Sequence, residues 1–350
     1  MNESAQWFRS IVSGERRGLR PALWRSALWW ARIPYGIGVW VRNRLFDLGW
    51  KRSHRVDVVV VSIGNLTLGG TGKTPCVEFV AGFYRDHGLI APIVSRGYGA
   101  SGGLNDEALV LEENIGVPHF QDADRVKMAN IAIEETEADV IILDDGFQHR
   151  RLARNLDIVL IDASEPWGYG YLFPRGMLRE GVGELRRAGM IVLTRCDHVL
   201  PETLDEIRQR VRRYTANVPL LSTVHRPLNL QSTDGRTESV TTLQGKKVAG
   251  FCGIGNPASF RRTLTDLGAE VIEFRSFPDH HAYQREDVDE LRRWASTLPA
   301  DAWVLTTQKD FVKLRIADLS DRPLWALRIG MAFLDGQDVF EQCLLNVVNA

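Results

Sequence analysis

"VSIGNLTLGGTGKTP", residues 61–75, decides how this chain is read. An apolar run enters it and Gly69, Gly70 and Gly72 follow. Lys73 and Thr74 then lead into "PCVEFVAGFYRDHG", a stretch of helical character. A strand, a glycine turn and a helix in that order form a phosphate-binding loop. Glycine backbone N–H groups turn inward to anion oxygens, and the helix N-terminus behind them favours negative charge. Lys73 is then placed to reach the β- and γ-phosphates, and Thr74 to set its hydroxyl on Mg²⁺. Thr67 stands where the spacing G-x-x-x-x-G-K-[ST] asks for a first glycine. It can serve there only if that position does not require positive φ.

The pattern extends outward from the loop. "VDVVVVSIGN", "APIVSRGYG", "ADVIILDDG", "LDIVLIDA" and "AGMIVLTRCD" are short β-branched runs ending in polar or glycine residues, and "DRVKMANIAIEE" between two of them reads as a helix. Buried strands alternating with helices predict a parallel α/β sheet with function at the carboxyl ends of its strands. Around 222–247 the chain turns polar, with an Asp234-Gly235 turn, and reads as two short strands joined as a hairpin linker. Beyond it, "KVAGFCGIGNP", "AEVIEFRSF", "AWVLTTQKD" and "LWALRIGMAF" resume the strand theme, with "PASFRRTLTDLG" and "REDVDELRRWA" as helices. The expected organisation is an N-terminal helical segment (1–55), a phosphate-loop α/β domain (56–222), a β-ribbon linker (223–247) and a smaller α/β domain (248–350).

A formal net charge of -1 gives no global attraction to nucleic acid. Cys76, Cys196, Cys252 and Cys343 lie far apart without a C-x-x-C, against a disulfide framework or zinc knuckle and in keeping with a reducing compartment. No secretory signal and no spanning apolar run is visible. The first 50 residues hold Trp7, Trp24, Trp29, Trp30, Trp40 and Trp50, six of the ten tryptophans, among arginines. Pro21 suits a first helical turn, and Pro34 is expected to kink or end the helix. Such a segment either lies in a membrane interface or packs its tryptophans on its own domain.

"VIILDDGFQHRRL", residues 140–152, is the second constellation. An apolar strand ending in Asp144 and Asp145 has the form of a Walker B element, whose aspartate helps hold Mg²⁺. One carboxylate can serve the metal and the other the transferred group.

With "GNLTLGGTGKTP", "SRGYG", "NDE", "DDGFQH", "PRGMLRE", "GIGNP", "FPDHHAY" and "TQKD" in that order, the chain resembles the tetraacyldisaccharide 4′-kinase family over nearly its whole length. The loop without its first glycine is that family's loop. The resemblance implies transfer of the ATP γ-phosphate to the 4′-hydroxyl of an acylated glucosamine disaccharide 1-phosphate, giving lipid IVA. It also implies two domains joined by a two-stranded linker, and peripheral attachment through the N-terminal helix to the cytoplasmic face of the inner membrane. The protein is expected to act as a monomer.

Carried onto this sequence, Thr67, Gly69, Gly70, Thr71, Gly72, Lys73 and Thr74 form the ATP loop, and Asp144 and Asp145 the acidic pair. Asp106 matches an aspartate paired with a histidine, which falls at His280, with His281 as the neighbouring alternative. A sugar hydroxyl attacks once a base takes its proton, and an aspartate poised by a histidine can do so. Asp144 and Asp145 remain alternatives as base. The pairing joins residues of two expected domains, so closure is expected to complete the site. Glu180 is a further candidate in the Mg²⁺ shell. Arg125, Arg179 and His149 are candidates for substrate or phosphate groups, each also readable, like Glu107, as a surface polar residue. "TQKD" carries Gln308 where relatives often have glutamate, and Lys309 and Asp310 receive no role.

Two other readings fit the sequence less well. A GTPase-type switch lacks N-K-x-D; "TRCD", residues 194–197, has Arg195 in place of the lysine. A membrane-tethered nucleotide-binding scaffold has no use for an acid–histidine pair.

Overall fold

The protein is described by a computed structural model covering residues 3–97, 111, 116–279, 281–314, 316 and 318–349. Along the chain come α1 (Glu3–Val12), α2 (Leu19–Asp47), β1 (Val59–Asn65), α3 (Lys73–Asp86), β2 (Ile93–Ser95), β3 (His119–Gln121), α4 (Arg125–Thr136), β4 (Val140–Asp144), β5 (Leu156–Asp162), β6 (Met190–Thr194) and α5 (Pro201–Arg212). There follow β7 (Leu220–Ser232), β8 (Thr237–Ser239), β9 (Lys247–Cys252), α6 (Pro257–Asp266), β10 (Glu270–Ser276), α7 (Arg285–Ser296), β11 (Trp303–Thr307), α8 (Gln308–Leu314), β12 (Leu324–Asp335) and α9 (Gln337–Val348).

The chain forms two compact units. The larger is built mainly from residues 7–225 together with 331–349. Its strands lie in the order β3-β2-β4-β1-β5-β6-β7, and neighbours in this order run parallel. β5 is buried at all seven positions, as expected of a strand covered on both faces. The register sets Ile63 of β1 opposite Asp144 of β4, so the loop after β1 and the acidic pair after β4 emerge side by side. The smaller unit, mainly residues 226–330, carries the order β10-β9-β11-β12, again parallel, while β8 pairs antiparallel with β7.

Two expectations change. The hairpin at Asp234-Gly235 exists, but it is not the connection between units. The long strands β7 and β12 each cross from one unit to the other, so residues 331–349, expected in the smaller domain, belong with the larger. A strand of 12 or 13 residues can be shared because its two halves satisfy their backbone bonds in different neighbourhoods. Pro34 lies inside α2 and does not end it. Beyond the proline the helix is held by tertiary bonds: Tyr35 Oη donates to the Arg179 carbonyl at 3.0 Å, and Arg42 and Asn43 donate to Glu180. Leu19, Leu23, Trp30, Ile33, Ile37 and Trp40, at three- to seven-residue spacing along α2, are exposed. Among the described residues no helix is long and apolar enough to cross a membrane.

Candidate active site

The loop after β1 is shaped by what surrounds it. Thr67 is absent from the positive-φ residues and forms an antiparallel bridge with Leu178. Its neighbours complete that pairing: Leu68 N–H donates to the Met177 carbonyl at 2.6 Å and Arg179 N–H to the Leu66 carbonyl at 2.7 Å. An extended residue suffices there, which is why threonine replaces the first glycine. Gly72 is different. It caps α3 with φ 83°, and a Cβ on it would stand 2.5 Å from Nε2 of His225. Thr194 Oγ1 ties the loop from another side, donating to the Thr71 carbonyl at 2.9 Å. Pro75 sits in the first turn of α3, where its missing N–H costs no helical bond.

Lys73, first residue of α3, extends over the strand ends. Its Nζ lies 3.4 Å from Asn65 Oδ1 and 3.5 Å from Asp145 Oδ1. Asp145, in the left-handed region at φ 51°, receives Arg179 Nη1 on both carboxylate oxygens at 2.8 and 2.7 Å. Its carbonyl accepts from Arg125 Nη1 at 2.9 Å. Burial pushes the Asp145 carboxyl up, but Lys73, Arg179 and Arg125 outweigh it and hold the group below the usual carboxylate range. Asp145 is thus a fixed anion among three cations. Gln148 braces both sides, donating to the Asn65 carbonyl at 2.8 Å and accepting from Arg179 at 3.2 Å.

Asp145, Arg125, Arg179, Gln148 and His149 line a cavity of about 700 Å³, where they meet Tyr35 and Arg42 of α2. Burial, and then Arg125, push the pKa of His149 down to about 4, so its imidazole is neutral near pH 7. Its Nε2 is enclosed and has no hydrogen-bond partner among the described residues.

The expected metal set divides. Thr74 lies in the first turn of α3 and Asp144 closes β4, and both offer the oxygen donors that a hard cation prefers. Both oxygens of Asp145 are engaged by Arg179. Glu180 is held by guanidinium groups: it is wholly buried, paired with Arg42 and Arg187, and accepts from Asn43 at 3.3 Å. Two guanidinium groups satisfy its charge, and the pair fastens α2 to the 177–180 segment beside the loop. Among the described residues no three His, Cys, Asp or Glu side chains gather as a metal cage. Asp106, Glu107 and His280 lie outside the described residues. His281 is committed elsewhere, its Nε2 lying 3.0 Å from Asp287 Oδ2 at the start of α7.

Residues without a sequence signal complete the site. Asn65 was legible only as the polar end of an apolar run. Tyr35, Arg42 and His225 reach the site from remote positions. His225, on β7, has its Nε2 enclosed and unpartnered among the described residues. Burial, with Arg195 adding to it, pushes its pKa from 6.5 down to about 4. In the unfolded chain it takes a proton through pH 6.5, whereas in the fold it resists until about pH 4. Stability is therefore fully present above pH 6.5 and falls as the pH drops toward 4, by up to ~3 kcal/mol from this group. Urea denaturation of parent and His225→Gln across that window should show a shallower acid limb in the variant; parallel limbs would contradict the assignment.

A glycine loop at the end of a parallel strand, with its lysine beside a cluster of fixed cations, defines a nucleotide-binding phosphotransferase. Comparison with known proteins narrows this. The profile of the family LpxK, Tetraacyldisaccharide-1-P 4′-kinase, matches residues 24–349. The tetraacyldisaccharide 4′-kinase of Anaeromyxobacter dehalogenans (strain 2CP-C) is 39% identical over 97% of this chain and 94% of its own length. That of Syntrophus aciditrophicus (strain SB) is 37% identical over 90% of each. The crystal structure of "apo" form LpxK from Aquifex aeolicus in complex with ATP superposes with a TM-score of 0.76 at 29% identity, covering 93% of this chain and 99% of that one. The chain belongs to the tetraacyldisaccharide 4′-kinase family. It is an ATP-dependent kinase of lipid A biosynthesis, acting at the 4′ position.

Proposed function

We propose that the cavity beside the phosphate loop is where the γ-phosphate of ATP passes to the 4′-hydroxyl of tetraacyldisaccharide 1-phosphate. The observation that carries this reading is the convergence of Lys73, Arg179 and Arg125 on Asp145 at the ends of β1 and β4. Backbone N–H groups of 69–74 cradle the ATP phosphates, and Lys73 neutralises charge that grows on the β–γ bridging oxygen. Arg125 and Arg179 hold further phosphate oxygens of donor or acceptor. Mg²⁺, when bound, supplies positive charge between phosphate oxygens, and Thr74 and Asp144 would hold it. In the transfer the 4′-oxygen bonds to the γ-phosphorus, the bond from phosphorus to the bridging oxygen breaks, and ADP leaves.

Asp106 takes the hydroxyl proton and His280 keeps that carboxylate oriented and poised. Asp145 is poorly suited as base, since the cations around it stabilise its ionised form and weaken its pull on a proton. The exposed apolar face of α2, with its neighbouring arginines, supports peripheral attachment to the inner membrane surface on the side where ATP is available.

A transfer assay tests the reading. With γ-labelled ATP, Mg²⁺ and detergent-dispersed tetraacyldisaccharide 1-phosphate, the parent should label the lipid. Asp106→Ala should lower kcat on the order of 10²–10⁴-fold, with ATP binding retained. Full turnover in Asp106→Ala would return the base role to Asp144 or Asp145.

A further inference from the structure

The phosphate loop is held from behind by side chains to which the transfer step gives no part. One hydroxyl grips its 71–72 peptide: Thr194 Oγ1, at the end of β6, donates to the Thr71 carbonyl at 2.9 Å. Thr194 is wholly inaccessible to solvent, and Thr71 is buried as well. β7 braces the same strand end, since Thr223 Oγ1 donates to the Leu193 carbonyl at 2.9 Å and the register sets Leu193 beside Ser222. His225 follows two residues later on β7.

A trans peptide is planar, and its carbonyl and the N–H that follows point opposite ways. Fastening the Thr71 carbonyl to β6 therefore turns the Gly72 N–H away from β6. Among the described residues that N–H has no protein acceptor. It stands at the start of α3, where N–H groups and the helix dipole together favour an anion. Gly72 is also boxed in on the side that a side chain would occupy. A Cβ there would lie 2.5 Å from His225 Nε2, 2.7 Å from its Cε1 and 3.6 Å from Thr194 Cγ2. A flip of the 71–72 peptide would forfeit the Thr194 bond and leave the Thr71 carbonyl buried without it.

We infer that Thr194 and His225 are positioning residues for ATP binding: the hydroxyl sets the plane of the 71–72 peptide, the imidazole holds Gly72 in place, and together they aim the Gly72 N–H at a phosphate oxygen. This rests on the loop seating the ATP phosphates, as proposed above. A loop preset in this way loses less affinity to its own ordering when nucleotide arrives. The inference also gives "TRCD" a task, since its first residue is the one that holds the loop.

The test titrates MgATP calorimetrically into the parent, Thr194→Val, Thr194→Ser, His225→Ala and Lys73→Ala, with transfer kinetics and melting temperatures alongside. Thr194→Val keeps the shape of the side chain and removes the hydroxyl. It should weaken ATP binding on the order of tenfold, the scale of one lost hydrogen bond, and raise KM for ATP. Its kcat at saturating ATP should stay within a few-fold of parent. Thr194→Ser keeps the hydroxyl and should bind ATP as the parent does. His225→Ala should also weaken ATP binding; if Thr194→Val fails to fold, His225→Ala decides. Parental ATP affinity in Thr194→Val or His225→Ala, or an equal loss in Thr194→Ser and Thr194→Val, would overturn the inference. So would a fall in kcat and melting temperature with KM unchanged, the mark of a merely structural role. Weakened ATP in Lys73→Ala beside parental affinity in Thr194→Val would leave the loop as the ATP seat and remove only this inference. Parental affinity in Lys73→Ala would remove the seat and the inference with it.

Discussion

Lys73→Ala should lower kcat for lipid phosphorylation on the order of 10³-fold while the protein remains folded. The loss is large because Lys73 is the loop's own cation, set at the helix N-terminus within 3.5 Å of both Asn65 and Asp145. Arg179 and Arg125 are not set to replace it, since they approach Asp145 from segments outside the loop. Folding should survive because Asp145 keeps its two bonds from Arg179. Steady-state kinetics with a thermal melt separate the two effects. A kcat within a few-fold of parent would remove Lys73 from the chemistry.

Glu180→Gln should cost about 3–5 kcal/mol of stability, the range for breaking a buried ion pair by removing one partner. The amide keeps the shape of the side chain but leaves Arg42 and Arg187 facing each other without their anion. Arg187 cannot relax easily: it also donates to the Phe147 carbonyl, pairs with Glu184, and its guanidinium lies 4.1 Å over the Phe147 ring. Chemical denaturation measures the loss. If stability held while the Mg²⁺ requirement rose, Glu180 would belong in the metal shell after all and the ion-pair assignment would fail.

What was legible in the sequence was what short-range chemistry dictates. Strands such as β4, β5 and β6 are continuous apolar runs because both faces are covered, and the glycine loop announces itself between a strand and a helix. Asp144 and Asp145 could be placed beside it because acidic residues end a buried run. β3 was missed because three half-buried residues make no pattern. β7 was misread because it alternates buried and exposed positions through a polar stretch while passing between units. The ion pairs of Glu180 were not legible because its partners lie elsewhere: Arg42 is 138 positions away in sequence. A carboxylate near a phosphate loop suggests a metal until two guanidinium groups are found on it.

The return of β12 to the larger unit bears on the order in which a newly made chain can fold. Phe79 and Tyr84 of α3 meet residues of β12 and α9: Phe79 packs on Phe333 and Phe340, and the Tyr84 hydroxyl donates to the Leu344 carbonyl across 260 positions. While residues 331–349 are still inside the ribosome, the helix that begins with Lys73 has bare aromatic rings and an unmet phenol on its back. Contacts between such distant residues form late and slowly. The main stretch of the smaller unit, residues 226–330, lies between two parts of the larger and emerges before residues 331–349 do. A polypeptide released short of β12 carries the whole glycine loop without the support that α9 gives to the helix behind it.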